Sequence, residues 1–411
     1  MTRRPSDDAT RRRFLKAGAG VGIGGLLAGC AGDGGGSTVE TSEGGSTDAP
    51  TGTTEPAPAT GTETGTGTET GTEESATDAD GGRYSVTMEP VGTVEFDAVP
   101  ETWVPYTADY ADMGVALGQA DGLSAIGVRA RYGTHHYEEL SGVSVDASEL
   151  TQLWQDGTGK EVFYELDADV HLIDPNFVVN RLGWSESDVD EIRGNVAPFV
   201  GNTIFTRVYD WHDYRYYSLY EAFEKVAEVF RERERYEAFA SYHDEVLATV
   251  EEALPAERPD IAVLYPAEIP PETFYPYLVG EGGQSKQWRD LGVGDALARN
   301  GITDAQAGGG TVDFETLLDI DPDAIVVRIQ GETSEEYFQE NVVSHLEDHE
   351  VASELTAVRE DRVIYGGLTY QGPIIHLFQL EHAARELYPD AFGDEPLFDR
   401  DRVSAIVNGE F

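Results

Sequence analysis

Three stretches of this chain set arginines beside aromatics directly after short apolar runs. Arg129 and Arg131, with Tyr132 and His135, follow the run 125–128. Arg207, with Tyr209 and Trp211, follows 203–206. Arg328 follows 324–327, while Tyr275 comes after the run ending at Tyr265 and Tyr370 after 363–365. A guanidinium offers a fixed fork of donors to a carboxylate or catecholate, and aromatic faces cover the apolar body of a ligand. In open α/β sheets ligands sit beyond the carboxyl ends of strands, so these residues are candidates for a binding site. The competing reading is that the arginines pair with surface acids. His135-His136 offers a second chemistry, a bare metal ion held with Glu138, Glu139, His171 or His212. Such a site needs three or four ligands drawn from several loops, and no metal site is assigned.

Catalytic motifs fail on inspection. Gly157-Thr158-Gly159-Lys160-Glu161 looks like part of a phosphate loop, but it lacks the earlier glycine and has Glu161 where Ser or Thr is required. No nucleophile elbow and no His-Glu-x-x-His helix occurs. The pattern favours binding over catalysis, with no cofactor.

The 411 residues include 77 Asp plus Glu against 28 Lys plus Arg, for a formal net charge of -49. That balance argues against binding nucleic acid or an anionic membrane by bulk charge. The only lysines are Lys16, Lys160, Lys225 and Lys286. Abundant acid with scarce lysine points to a protein of concentrated brine, where a Debye length of about 3 Å screens carboxylate repulsion. One cysteine excludes a disulfide scaffold and a Cys-based zinc site.

Residues 1–30 read as an address and an anchor. Thr10-Arg11-Arg12-Arg13-Phe14-Leu15-Lys16 resembles a twin-arginine export signal. The uncharged run 17–29 is shorter than the roughly 20 apolar residues that span a bilayer, and fits a signal-peptide core. Leu27-Ala28-Gly29-Cys30 resembles a lipobox, so Cys30 is expected to carry lipid and to become the mature N-terminus. Residues 31–82 are Thr, Gly, Glu, Ser, Asp, Ala and Pro with Val39 as the only large aliphatic. They bury too little apolar surface to offset ordering entropy and are expected to form a disordered tether.

From Tyr84 the composition is that of a folded protein, and strand and helix patterns alternate. A hairpin is expected near 86–94, strands at 125–129, 169–173 and 203–209, and a helix at 108–117. The longest helical stretch, 218–254, keeps Phe223, Val226, Phe230, Phe239, Val246 and Val250 on one face, with a break near 231–235. The pattern then restarts, with strands at 261–265, 324–327 and 362–365 and helices at 284–298, 314–318, 335–346 and 374–388. This reads as an α/β fold of two Rossmann-like lobes, 83–232 and 256–411, joined by a spine helix at 233–255.

That architecture resembles the substrate-binding proteins of ABC importers, in the helical-spine class of periplasmic binding proteins (class III) that serves ferric siderophores, haem and cobalamin. The resemblance covers about 84–411 and is clearest in the second half. Val312-Asp313-Phe314-Glu315-Thr316-Leu317-Leu318, followed by Ile320-Asp321-Pro322-Asp323-Ala324-Ile325, is similar to the family's E-x-L-L-x-x-D-P-D signature. In the first half Leu166-Asp167-Ala168-Asp169 departs from the family's usual Leu-Lys-Pro-Asp. The resemblance implies a monomeric, lipid-anchored subunit at the cell surface. It implies capture of a ferric siderophore or a corrinoid between the lobes and delivery to ABC permease and ATPase subunits. Glu186 and Asp290 are the acids it suggests for permease docking. A bare-metal binder and a surface enzyme on the same fold are the alternatives.

Overall fold

A computed structural model describes residues 82–411 except 156, 305, 306, 308, 309, 330, 332 and 394. Cys30, the export signal and nearly all of the 31–82 segment lie outside the described residues. A hairpin opens the fold, with β1 (Tyr84–Met88) antiparallel to β2 (Gly92–Phe96).

Four short strands build the first sheet. β3 (Trp103–Pro105) runs parallel to β6 (Val170–Leu172), and β4 (Ala125–Ile126) parallel to β5 (Thr151–Gln152). Parallel bridges Trp103↔Leu123 and His171↔Phe199 extend the array on both sides. Helices α1 (Ala108–Ala116), α2 (Glu161–Leu166), α3 (Pro175–Leu182) and α4 (Glu186–Asn195) alternate with these strands. All of β3 and β6 is buried, as parallel strands covered on both faces must be.

Helix α5 (Leu219–Phe230) begins at a Ser218/Glu221 capping box and ends at Arg231, which is left-handed at φ 56°. The spine α6 (Arg233–Ala253) follows, 21 residues or about 32 Å long. The expected break near 231–235 is therefore a true helix end. Phe239, Tyr242, His243, Val246 and Val250 form the spine's buried stripe.

The second sheet has β7 (Asp260–Pro266) at its centre and the order β10-β8-β7-β11-β12, with β9 also pairing β7. β8 is Thr273–Tyr277, β9 Gly294–Asp295, β10 Val312–Asp313, β11 Ala324–Val327 and β12 Val363–Tyr365. β7, β11 and β12 are parallel, whereas β8 is antiparallel to β7. Alternation along β7 divides the core: Ile261 and Val263 join the larger cluster, Ala262 and Leu264 the smaller. The helix expected over 284–298 is instead α7 (Lys286–Asp290) and α8 (Ala296–Arg299), because Gly292 turns at φ 65° and β9 intervenes. The acid signature has structural work. Asp313 caps α9 (Phe314–Ile320), Asp321 accepts from Thr356 N at 2.9 Å, and Asp323 accepts from Asp260 N at 2.7 Å.

The segment 335–348 holds α10 (Glu335–Phe338) and α11 (Ser344–Asp348) around a π turn, and α12 (Thr356–Arg359) precedes β12. The chain ends with α13 (Pro373–Leu387) and α14 (Arg400–Val407). Sequence reading puts all of 256–411 in one lobe, yet α13 packs on α1 and α14 on α6. Asp112 of α1 caps α13 by accepting from Ile374 N at 2.8 Å and Ile375 N at 3.0 Å, while Tyr137 donates to it at 2.6 Å. An acid at a helix N-terminus meets both the orphan N–H groups and the helix dipole. Among the described residues no helix is long and apolar enough to cross a membrane.

Candidate ligand-binding site

Asp174 shows how the first lobe positions its binding loop. It ends the β6 run and caps α3, accepting from Asn176 N at 2.9 Å with Pro175 at the first helical position. Its other oxygen accepts from Thr203 N at 2.8 Å, Thr203 Oγ1 at 2.8 Å and the Tyr214 hydroxyl at 2.6 Å. The segment 203–209, expected as a strand, is irregular for this reason. Its backbone is held by Asp174 and by the second lobe, where Gly283 N donates to Ile204 O at 2.9 Å and Gln284 N to Phe205 O at 3.0 Å. Gly282 permits that approach, since a Cβ there would lie 2.3 Å from Phe205 O.

The cleft between the lobes encloses about 400 Å³, within the range of small-ligand sites. Its first-lobe wall carries Tyr106, Arg131, Trp154, Phe177, Arg181, Phe205, Arg207 and Tyr209. Its second-lobe wall carries Tyr265, Tyr275, Tyr277, Gln284 and Tyr370. The aromatics form a connected belt: Tyr106–Phe177 at 5.4 Å, Phe177–Phe205 at 6.0 Å and Phe205–Tyr370 at 5.0 Å between centroids. Arg181 lies over the Tyr209 ring at 5.2 Å and Arg207 over Tyr216 at 4.8 Å. Arg131 hydrogen-bonds Tyr370 across the lobes, and although burial opposes its charge, the oxygens of Tyr370 and Tyr265 favour it. Burial pushes the Tyr106, Tyr265 and Tyr370 phenols above their ordinary value, so they stay protonated and can donate. Two acids, Glu281 and Asp304, also line the cavity. Among the described residues, three cations against two anions make this a positive spot in a chain of net charge -49.

Of the residues singled out from sequence, Arg131, Arg207, Tyr209, Tyr275 and Tyr370 meet in this cleft. The others do not line it. Arg129 turns to its own lobe and donates from Nε to Leu150 O at 2.8 Å. Tyr132 is buried in the core, 3.0 Å from the Tyr137 hydroxyl, in the chain that leads to Asp112. His135 is exposed and lines a separate cavity with His136, Tyr365 and His382. Trp211 stacks behind Tyr209 at 4.9 Å. Arg328 is 1% exposed and donates to the carbonyls of Gln284 and Gly366, so it braces the loop that carries Gln284 and does not line the cleft. Of the helpers considered for His135-His136, Glu139 lines the same cavity, whereas His171 lies apart between Phe163 and Phe199 and His212 stacks on Tyr216.

The two docking acids also separate. Glu186 is exposed at the start of α4. Asp290 is turned inward, with a side chain 14% exposed and bonded to Lys286 Nζ at 2.8 Å, so it offers no docking surface. Sequence reasoning missed Arg181, Phe177, Tyr106, Trp154 and Tyr265. Phe177 and Arg181 had a signal: Pro175 starts a helix, and residues four apart share a face.

Comparison with known proteins agrees with this architecture. The sequence matches the family described as "Periplasmic binding protein" over residues 104–368, and the chain belongs to that family. Proteins of this family work with the permease and ATPase of an ABC transporter, and the family implies an extracytoplasmic location. Similar folds include a periplasmic binding protein from Veillonella parvula, with 16% identity and TM-score 0.55 over 75% of this chain and 98% of that one. The iron-uptake substrate-binding protein PiuA from Streptococcus pneumoniae has 14% identity and TM-score 0.53 over 74% and 98% of the two chains. The petrobactin-binding protein YclQ from Bacillus subtilis has 15% identity and TM-score 0.51 over 76% and 99%. No curated protein sequence matches the chain.

Proposed function

We propose that this chain is the substrate-binding subunit of an ABC importer and captures an anionic ferric siderophore between its lobes. The observation that carries the reading is the convergence of Arg131, Arg181 and Arg207 with protonated tyrosines on one cavity of an otherwise strongly acidic chain. Guanidinium groups suit carboxylate or catecholate oxygens, and the aromatic belt suits the flat apolar body that carries them. The names of similar folds point the same way: PiuA is an iron-uptake protein, YclQ binds petrobactin, and BauB was solved with acinetobactin and ferric iron. Binding without catalysis fits the missing nucleophile and acid–base motifs.

The closing motion is small in this reading. The larger core cluster draws residues from both lobes and the spine, and the 204–205 backbone is already bonded to 283–284. Lipid on Cys30, twin-arginine export and a leash of about fifty residues complete the proposal, in a protein adapted to brine. Glu186 serves permease docking on the first lobe.

The test is a titration of the purified protein in molar KCl, followed by tryptophan fluorescence, since Trp154 lines the cavity. Ferric catecholate and ferric citrate-type siderophores, their iron-free forms, cyanocobalamin and haemin are compared. Saturable binding of a ferric siderophore, weakened by Arg131→Ala, is the expected result. Saturation by cyanocobalamin or haemin alone would replace the ligand class, and no saturation by any of them would defeat the reading.

A further inference from the structure

The spine's buried stripe has a polar member, His243, whose residue is 4% exposed. Its ring faces Asp290 of α7 and His376 of α13, the latter fully buried. One donor atom from each of the three lies within 4.8 Å of the other two. The His243 and His376 rings are 5.4 Å apart, and Tyr220 packs on His243 at 4.3 Å. Nε2 of His243 and the Tyr220 hydroxyl are buried with no hydrogen-bond partner, and Nε2 of His376 is buried against Asp290 Oδ2 at 2.9 Å. Such orphans are costly in a core unless something polar meets them.

The tautomer of His376 sharpens the point. Gln371 Nε2 donates to Gly283 O at 2.7 Å, and a carbonyl can only accept, so Gln371 Oε1 is the atom 3.0 Å from His376 Nδ1. Nδ1 therefore carries the proton. Nε2 lies 2.9 Å from Asp290 Oδ2, so either a second ring proton or a metal ion must stand between that nitrogen and the carboxylate. A nitrogen lone pair against a carboxylate oxygen is repulsive unless a cation lies beside both. Lys286 reaches the same Oδ2 at 2.8 Å and supplies one charge. It leaves His243 Nε2 without a partner.

We infer that His243, Asp290 and His376 form a binding site for a divalent transition metal of the zinc class, with Lys286 as the competing cation. Two imidazoles and a carboxylate are the donor set such ions prefer over magnesium or calcium. Tetrahedral zinc with bonds of about 2.0–2.1 Å sets its donors about 3.3 Å apart, so the His376–Asp290 pair, 2.9 Å apart, must open slightly to admit the ion between them and His243. Gln371 holds His376 from behind by its other nitrogen, as an outer partner of a ligating histidine does. None of the three ligands lines the cleft, so the site is independent of ligand capture. Its ligands come from the spine, from the second lobe's α7 and from the helix that returns to the first lobe. The ion would staple these three segments behind the cleft.

The test uses the purified chain in molar KCl, stripped with chelator and titrated with Co(II) and then Zn(II). One equivalent of Co(II) with the intense visible bands of four-coordinate cobalt is expected, displaced by one equivalent of zinc, which raises the melting temperature. His243→Ala and His376→Ala should each weaken zinc binding by at least a hundredfold. Arg131→Ala should leave it unchanged, which separates this site from the cleft. Lys286→Met, which keeps all three ligands, should bind zinc about tenfold more tightly. Only weak six-coordinate cobalt bands, in both the native chain and Lys286→Met, would overturn the proposal by assigning the binding to surface carboxylates. Zinc binding unaffected by His243→Ala in a folded variant would overturn it equally.

Discussion

Arg131 and Arg328 hold the same rank in the sequence, each just after a buried strand of its lobe, and have opposite fates. Arg131 sits in the loop after β4, a two-residue strand, and reaches the cleft to meet Tyr370. Arg328 directly follows β11, the neighbour of the central strand, and disappears beneath the cleft floor with its donors on two backbone carbonyls. The first lobe thus lends the cavity its cations, and the second lends it most of its phenols. Position at a strand end places a side chain near a site, but the depth of that end decides whether ligand or backbone takes its hydrogen bonds.

The largest expected effect breaks the second half of this contrast. Arg328→Ala should cost about 3 kcal/mol of stability, because it leaves a cavity and two unpaired buried carbonyls. Its melting temperature should drop, and any loss of siderophore affinity should follow from disorder at Gln284. A variant with native stability and weak binding would mean that Arg328 touches ligand after all.

Acid should expose a related difference between buried polar groups. Burial holds the His171 pKa down to about 4 from 6.5, outweighing a hydrogen bond with the Ala197 backbone. A depressed histidine gives stability that is present above pH 6.5 and is lost as pH falls toward 4, because the unfolded chain then binds more protons. The shift corresponds to roughly 3 kcal/mol. Melting curves of His171→Phe between pH 7 and 4.5 should fall less steeply than those of the parent; equal slopes would remove His171 as a cause.

Arg131→Ala and Arg207→Ala should each reduce siderophore affinity ten- to a hundredfold, the equivalent of about 1.5–3 kcal/mol for a hydrogen bond to charge. Their melting temperatures should stay near the parent's, the reverse of Arg328→Ala. Unchanged affinity in both would put the ligand elsewhere. Glu186→Ala should change neither affinity nor stability and should lower only uptake in cells, so normal uptake would remove it from the docking surface.

A good part of the fold was legible from local pattern. The Ser218/Glu221 box, the stripe through Phe239, Val246 and Val250, and the apolar runs of β7 and β11 declare themselves over a few residues. The Asp-Pro-Asp signature likewise marked the turn into β11. Segment 203–209 was misread because its apolar and β-branched residues look like a strand, while its backbone partners lie thirty residues away at Asp174 and eighty away at 283–284. β8 is absent from the strands expected from sequence because an antiparallel strand with half-exposed phenols lacks a continuous apolar run.

Sequence by itself therefore determined the class of architecture, the spine, the charge regime and five of the cleft residues. It could do so because helix periodicity, capping and charge are local or additive properties. Tertiary structure alone decided which arginines face the cleft, that Asp290 turns inward, and that residues 243, 290 and 376 meet. Those outcomes depend on depth and on which distant segments pack together, and neither is encoded within any short window of the chain.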